Sequence, residues 1–212
     1  RELGIDPYVD YCDLAHMTQG GIEKYTAYLA DYMSSHYSLP DRRLDKSHVW
    51  NQQVQTESHC IYSLPYRFYG GGHDYLDTGV QLYENPYASY TILTEINTVC
   101  GSEDQVWFSC FHEGEDLRGV LLTRADGNLY VILNRSKRVE ITADGEKLRV
   151  AVVKEGLTYT VYVNGEKLRS ETIDPFEPLD YTLMLGCQLN EEGKRYRYSA
   201  TQVDQLEIYD IA

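Results

Sequence analysis

The sequence predicts a mostly β protein, an antiparallel β-sandwich preceded by one N-terminal α-helix. Short segments rich in β-branched and aromatic residues follow one another over the last two thirds of the chain. Turn residues separate these segments at intervals of roughly eight to twelve residues, a spacing typical of sandwiches and barrels. Apolar residues at the three- and four-residue spacing of a helix occur near the N-terminus. Helices do not alternate with the strands, so a βαβ fold is not predicted.

The predicted helix follows Thr18, a residue suited to an N-cap, and the pair Gly20-Gly21. Pro40 ends it, because the residue before a proline is pushed out of helical geometry. A charged segment follows and indicates a domain boundary. We therefore predict an N-terminal piece at 1–40, a linker at 41–49 and a β domain at 50–212. One helical face carries the apolar residues and a histidine: Ile22, Tyr25, Leu29, Tyr32, Met33 and His36.

Strands of the β domain are assigned from alternation and from turn signals. Ala125-Asp126-Gly127 and Asn164-Gly165 predict hairpin turns. Gly186 predicts a bulge or a close approach of two backbones. The predicted strands are Tyr75–Leu82, Tyr90–Val99, Val106–His112, Gly119–Arg124, Asn128–Leu133, Val139–Thr142, Leu148–Lys154, Tyr159–Val163, Tyr181–Leu189 and Gln202–Tyr209.

Composition excludes several classes of partner. The formal net charge is −14 over 212 residues, and such a surface repels phosphate backbones and anionic lipid, so we expect neither nucleic acid nor membrane as partner. Five cysteines include no C-x-x-C pair, so a structural zinc site is not predicted, and the odd number leaves at least one thiol free. Tyrosine is frequent at 20 residues, and it suits both strands and flat contact surfaces for sugars.

The N-terminal residues Arg1–Asp10 lack the apolar run of a secretion signal, and the chain opens on Arg1 rather than Met. We therefore expect a processed or truncated piece of a longer protein. Its location stays open, with a secreted or cell-surface bacterial protein favoured.

Five short motifs occur in a fixed order along the β domain. They are Tyr75-Leu76-Asp77-Thr78-Gly79, Tyr90-Thr91-Ile92, Tyr159-Thr160-Val161-Tyr162-Val163-Asn164-Gly165, Leu183-Met184-Leu185-Gly186 and Val203-Asp204-Gln205-Leu206-Glu207-Ile208-Tyr209. In order and spacing they resemble strands of concanavalin A-like and laminin G-like jelly rolls. The resemblance implies a jelly-roll sandwich over about 50–212 that binds sugars or proteins. The paired-carboxylate strand E-x-D-x-x-E of the superfamily's glucanases does not occur, so catalysis by the β domain is not predicted.

Candidate sugar-binding residues are those whose side chains offer stacking faces or charged donors. They are Trp107, Tyr130, Arg195, Tyr196, Arg197 and Tyr198, with Trp50 as a further aromatic residue. Alternation over 195–198 predicts that either the arginines or the tyrosines face outward. For Trp107 packing in the core is the alternative.

Calcium is the one cofactor that the resemblance suggests, since some laminin G-like domains hold it through aspartate and backbone oxygens. The implied ligands are Asp74, Asp77 and Asp204, with Asp104 as a further candidate. The alternative is that these are ordinary surface and turn residues. No other cofactor is expected.

The N-terminal piece carries a second resemblance. Asp13-Leu14-Ala15-His16, with the helix that follows, resembles the D-x-x-H block of SGNH/GDSL hydrolases. The resemblance implies that His16 is a general base and that Asp13 orients it. The Gly-Asp-Ser block that carries the nucleophile in that family does not occur, so activity requires an upstream hydrolase domain of the same polypeptide. The alternative is a chance loop before an amphipathic helix.

Three functions follow from these patterns. The first is a lectin-like, carbohydrate-binding module appended to an SGNH-type esterase whose nucleophile-bearing part is absent from this chain. The second is an active SGNH carbohydrate esterase in the full-length parent. The third is a non-catalytic protein-interaction domain. This chain alone is not predicted to be an enzyme, whereas the parent is a candidate esterase.

Overall fold

The computed structural model describes residues 4–12, 16–37, 49–71, 73–99, 104–112, 118–134, 137–142, 145–190 and 192–212. The chain divides into two compact units, Arg1–Gln53 and Val54–Ala212. Within the described ranges, no helix is long and apolar enough to span a membrane.

Helix α1, Gln19–His36, forms most of the described part of the first unit. Thr18 is its N-cap as predicted, and the Thr18 hydroxyl accepts a hydrogen bond from the Gly21 N–H at 3.2 Å. Gly21 lies against the Asp10 carbonyl so closely that a Cβ would clash with it. The buried Asp10 carboxylate accepts from Lys24 Nζ at 2.8 Å, and this bond lowers the pKa of Asp10. A glycine contact and an ion pair thus hold the preceding loop to the helix.

The predicted apolar face of α1 is exposed. Its large apolar side chains, which are 36 to 47% exposed, are Ile22, Tyr25, Leu29, Tyr32 and Met33. The helix ends at His36, where the Tyr37 N–H bonds to the Met33 carbonyl at 2.9 Å. Pro40, which was predicted to end it, lies outside the described residues.

A second helix, α2, covers Val49–Ser58. The prediction of one helix was incomplete here, because this segment was assigned to the end of the linker and the start of the strands. It contains neither glycine nor proline, and three of its residues are glutamines, which have good helix propensity. Its apolar periodicity is weak, which is why the helical pattern was not recognised.

The second unit is built from two β-sheets. The seven-stranded sheet has the order β1-β15-β4-β9-β10-β11, with β2 beside β15, and every pairing is antiparallel. Its strands are β1 Cys60–Ser63, β2 Phe68–Gly70, β4 Tyr90–Asn97, β9 Lys147–Glu155, β10 Thr158–Val163, β11 Glu166–Thr172 and β15 Thr201–Tyr209.

The eight-stranded sheet has the order β14-β13-β5-β6-β7-β8, and β12 joins β5 to β3. Only the short β13–β5 pairing is parallel among the described strands. Its strands are β3 Leu76–Gln81, β5 Gln105–His112, β6 Arg118–Ala125, β7 Asn128–Asn134, β8 Arg138–Ile141, β12 Thr182–Leu185, β13 Gln188–Leu189 and β14 Arg195–Tyr196.

The mostly β, antiparallel sandwich is confirmed. Every predicted strand is present, and the predicted strand Tyr181–Leu189 is divided into β12 and β13. The division falls at Gly186, whose φ is +76° and where a Cβ would lie 3.1 Å from the backbone carbonyl oxygen of Asp74 and 2.9 Å from the Phe68 ring. The close approach predicted for this glycine is therefore confirmed. Four strands escaped prediction because they are short or highly charged: β1, β2, β11 and β14.

The hydrophobic core lies between the two sheets. Ile92, Val152 and Val161 enter it from the seven-stranded sheet, and Phe108 and Val131 enter it from the eight-stranded sheet. On β4, β7, β9 and β10 the core residues alternate with more exposed ones, as a sandwich requires. On β5 every residue from Gln105 to Phe111 is buried.

One end of the core contains buried polar groups. The hydroxyls of Tyr83 and Tyr90 are 2.8 Å apart, and the Tyr159 hydroxyl donates to Tyr83 at 3.1 Å. Burial raises the pKa of Tyr159 to about 12. The fully buried Lys154 lies beside them, and burial lowers its pKa to about 8.

The described cysteines, Cys12, Cys60, Cys110 and Cys187, are free thiols. Burial raises the pKa of Cys110 to about 12 and that of Cys187 to about 11. Because the thiolate is the reactive form, these two core thiols behave as small apolar side chains.

Candidate functional site

Two strands at one edge of the eight-stranded sheet bring together side chains from distant parts of the sequence. The residues come from the start of β3 and from the segment around β14, more than a hundred positions apart. We call this group the tyrosine patch. It consists of His73, Tyr75, Asp77, Arg195 and Tyr198.

Aromatic rings form the centre of the tyrosine patch. The Tyr198 ring meets the His73 ring edge-on, with centroids 5.0 Å apart and planes at 81°. The Tyr75 ring is tilted against Tyr198 at 6.2 Å. Tyr198 packs on the buried cluster of Met184 and Cys187, whereas Tyr75 is 39% exposed. The rings are therefore supported from below and partly open to solvent, as a stacking surface for a ligand requires.

Arg195 is held over the Tyr75 ring. Its guanidinium carbon is 4.3 Å from the ring centroid, within the range of a cation–π contact. Its Nη2 is 3.9 Å from Asp77 Oδ2, and the other oxygen of Asp77 accepts from the Thr182 hydroxyl at 2.6 Å. These contacts orient the guanidinium at the open edge of the patch.

Arg197 adopts a left-handed backbone conformation, with φ of +49°. This conformation is uncommon for a residue with a long side chain and costs free energy. The side chain is exposed, and it makes no hydrogen bond or ion pair with any residue that the structure describes. The left-handed conformation at Arg197 also changes the direction of the chain. Arg195 and Tyr198 therefore share the patch, although strict alternation places them on opposite faces.

Tyr196 does not belong to the patch. It pairs with Gln188 in the β13–β14 ladder, whereas Arg195 pairs with Leu189, which packs in the cluster beneath Tyr198. The Tyr196 hydroxyl is buried, and it has no hydrogen-bond partner among the described atoms. Alternation turns its ring to the other side of the strand from Arg195, so Tyr196 lies outside the tyrosine patch and its role in ligand binding stays a prediction.

Trp107 is fully buried, so its assignment to a sugar-binding face is wrong and the core alternative is confirmed. The pairing register of β5 with β6 shifts between Val106 and Phe108, and both Trp107 and Phe108 pack in the main core. Its Nε1 donates to the Asn97 carbonyl at 3.2 Å. Simple alternation with Phe108 would place Trp107 on the outer face of the strand, but the bulge turns it into the core.

Tyr130 is half-buried on β7, with the Arg138 guanidinium 5.8 Å from its ring centroid. Three strands separate β7 from β14 in the sheet, a distance of about 19 Å. Tyr130 therefore lies outside the tyrosine patch. The side chain of Trp50 lies outside the described residues.

The predicted calcium ligands do not come together. Asp204 lies on β15 of the seven-stranded sheet, whereas Asp77 lies on β3 of the other sheet. Burial opposes ionisation of Asp204, but hydrogen bonds from Lys147 and Gln202 outweigh it and lower its pKa. Its carboxylate is thus occupied by cationic partners. In the described ranges no group of three or more His, Cys, Asp or Glu side chains is arranged to hold a metal ion.

Asp13 lies outside the described residues, so its predicted pairing with His16 stays a prediction. His16 lies two residues before the N-cap of α1, and its carbonyl accepts from the Cys12 N–H at 2.9 Å.

Sequence reasoning missed His73 and Tyr75 as site residues. The available signal was a glycine-rich segment, Gly70-Gly71-Gly72, immediately before an aromatic pair that begins a strand. Glycines at such positions allow loops to pass close to other backbone, and Gly70 indeed lies near the Ser199 carbonyl.

Comparisons with known proteins identify the fold. No protein-family model matches the chain, and no curated protein matches it. The NanB sialidase from Streptococcus pneumoniae, in complex with 2-[(3-chlorobenzyl)ammonio]ethanesulfonate, superposes with a TM-score of 0.54 at 18% identity. That match covers 73% of this chain and 27% of the sialidase chain.

Botulinum neurotoxin type C, whose cell entry is described as dependent upon interaction with two ganglioside molecules, superposes with a TM-score of 0.52 at 10% identity. That match covers 75% of this chain and 49% of the toxin chain. A third structure, the CBM40 of the Ruminococcus gnavus IT-sialidase, has a TM-score of 0.46 at 17% identity, over 68% of this chain and 91% of that one. This chain spans about a quarter of the matched NanB sialidase and about half of the matched toxin chain. At these identities the likeness shows a shared fold: the chain contains a β-sandwich similar to part of a sialidase and part of a neurotoxin.

Proposed function

We propose that the β domain is a carbohydrate-binding module and that it holds a sugar at the tyrosine patch. The observation that carries this proposal is that two partly exposed tyrosine rings and an oriented arginine lie together at one edge of the sheet. A sugar ring has an apolar face that packs on an aromatic ring and hydroxyls that accept from charged donors. The tyrosine patch offers both.

The charges at this edge favour a sugar that carries a carboxylate. Arg197 is exposed and unpaired within the described chain, and Arg195 is only weakly engaged by Asp77 at 3.9 Å. Guanidinium groups bind carboxylates through two parallel hydrogen bonds. The two cations stand out in a protein with a net charge of −14. The fold neighbours support the same ligand class, since one is a sialidase and the other interacts with ganglioside molecules.

A titration of the purified chain with sialyllactose and with lactose, followed by calorimetry, tests the proposal. We expect sialyllactose to bind more tightly than lactose, with Tyr198→Ala weakening both sugars and Arg197→Gln weakening only sialyllactose. Arg138→Gln is the matched control, because Arg138 also lies over a tyrosine ring but outside the patch. Equal binding by wild type and Tyr198→Ala would remove the tyrosine patch from consideration. A loss of sugar binding in Arg138→Gln but in neither of the other two variants would indicate that the sugar binds at Tyr130.

The finer proposal, that this module is appended to an SGNH-type esterase, is supported by the D-x-x-H resemblance around His16. A longer polypeptide that includes the upstream hydrolase domain is then expected to release acetate from acetylated xylan. His16→Ala abolishes that release while leaving sugar binding by the β domain unchanged. Release that survives the substitution would show that His16 has no catalytic role.

A further inference from the structure

The outer face of the seven-stranded sheet contains a depression whose shape follows from one small side chain. Leu93, Ala151 and Tyr162 lie directly opposite one another across β4, β9 and β10. Because alanine stands between two larger side chains, the row dips at its centre. Arg149, Asn164 and Gly165 complete the wall, and the open depression has a volume of about 440 Å³. That volume falls in the lower part of the range of small-molecule sites, roughly 300–1,000 Å³.

Arg149 supplies hydrogen-bond donors at the rim. Its Nε donates to Glu95 Oε2 at 3.1 Å, and its side chain is 70% exposed. The remaining N–H groups of the guanidinium are therefore held in a defined direction. Glu95 also lies 3.5 Å from Lys147 Nζ, so the rim combines the donors of Arg149 with a carboxylate that repels an anionic ligand. This combination suits hydroxyl groups better than a carboxylate.

Asn164 supplies a second donor from a fixed position. It occupies the left-handed position of the β10–β11 turn, with φ of +52°. Its Oδ1 accepts from the Arg149 N–H at 3.0 Å, and its own N–H donates to the Arg149 carbonyl at 2.8 Å. The first bond orients the side-chain amide and the second fixes the backbone at Asn164, and Nδ2 is left without a partner in the described part of the chain. Gly165 leaves open space beside it, because a Cβ there would meet nothing within 4 Å.

We propose that this site, the Tyr162 depression, binds one neutral sugar ring. The apolar face of the ring packs on the Tyr162 side chain and Ala151, and its hydroxyls accept hydrogen bonds from Arg149 and Asn164. The site lies on the opposite sheet from the tyrosine patch and favours a different ligand, so it goes beyond the function proposed above. Two sites on two sheets would let one domain engage two sugars of a branched or repeating glycan at once.

An NMR titration of the ¹⁵N-labelled chain with D-glucose, D-galactose and N-acetyl-D-glucosamine, each added alone, tests this site. We expect the amide signals of Ala151, Tyr162 and Gly165 to shift with at least one of the three sugars. Tyr162→Ala is expected to weaken that binding about tenfold, in line with the loss of an aromatic stacking surface. Tyr162→Phe keeps the ring and is expected to retain binding.

Arg149→Gln is expected to weaken binding by about three- to tenfold, the equivalent of one lost hydrogen bond. The matched control is Arg169→Gln, since Arg169 is also exposed and also pairs through Nε, with Glu171 on β11. No shift at the three reporters with any of the sugars would overturn the proposal, as would unchanged affinity in Tyr162→Ala. Shifts confined to Arg195 and Tyr198 would support the tyrosine patch and reject the Tyr162 depression.

Discussion

The buried Lys154 makes the stability of the β domain depend on pH in an unusual direction. Its Nζ donates to the carbonyls of Pro86 and Ala88, each at 2.6 Å, and it lies beside the rings of Tyr90 and Tyr159. Burial lowers its pKa from 10.5 to about 8. In the unfolded chain the side chain returns to water and regains its ordinary pKa.

Between pH 8 and 10.5 the unfolded state therefore holds more protons on Lys154 than the folded state, and the contribution of Lys154 to the free energy of unfolding rises with pH. At about 1.4 kcal/mol per pKa unit, the full effect is about 3 kcal/mol, of which about 1 kcal/mol develops between pH 7 and pH 9. Burial acts in the opposite direction on Cys110, Cys187, Tyr83, Tyr90 and Tyr159, because it raises their pKa values and the unfolded thiols and phenols lose protons first. The unfolded thiols begin to ionise near pH 8 and the phenols near pH 9, so maximal stability is expected at about pH 8 to 9.

Lys154→Met separates this effect from the rest of the protein. At pH 7 the substitution relieves the cost of the buried charge, about 3 kcal/mol, but leaves two carbonyls without a donor, at about 1–3 kcal/mol each. These contributions nearly cancel, so the slope with pH is more informative than the stability at one pH. The expected result is that the change in unfolding free energy between pH 7 and 9 is more favourable in wild type than in Lys154→Met by about 1 kcal/mol, because the cysteines and tyrosines contribute equally to both proteins.

Urea unfolding at pH 7, 8 and 9 measures the slope directly. Lys194→Met is the control, because Lys194 is exposed and its ammonium pairs with Glu192 alone among the residues that the structure describes. Its unfolding free energy is expected to change with pH as that of wild type does. An equal change between pH 7 and 9 in wild type and in Lys154→Met would refute the argument that Lys154 is buried with a lowered pKa.

Three further substitutions or measurements check other parts of the structure. Arg197→Gly removes the strain of the left-handed backbone and is expected to raise the free energy of unfolding by up to about 1 kcal/mol while weakening sialyllactose binding. A lower free energy of unfolding would show that the Arg197 side chain stabilises the fold. Gly119→Ala places a Cβ against the Cys110 carbonyl at a φ of +122° and is expected to destabilise the domain by more than about 3 kcal/mol, or to prevent folding, as thermal unfolding would show. Cys110 and Cys187 are expected to resist a thiol-reactive dye in the folded protein and to react after urea unfolding, and rapid labelling before unfolding would contradict their burial.

The sequence alone determined the local structure of this protein. Period-two alternation located the long strands, and Asn164-Gly165 located the turn between β10 and β11. Thr18 located the start of α1. These features depend on neighbours a few positions apart, so a linear pattern contains the information. The helix α2 was missed for the same reason, because its local apolar pattern is weak.

Only the tertiary structure decided which distant residues meet and which way several of them face. Asp77 meets Thr182 across 105 positions, and Tyr75 meets Arg195 and Tyr198 because β3 and β14 lie at the same edge of a sheet. Alternation states which residues share a face of one strand, but strand order across a sheet depends on the packing of the whole core. A register shift turned Trp107 inward, and one left-handed residue brought Tyr198 beside Arg195. Each of these outcomes depends on backbone geometry that long-range packing stabilises, and such geometry leaves no periodic trace in the sequence.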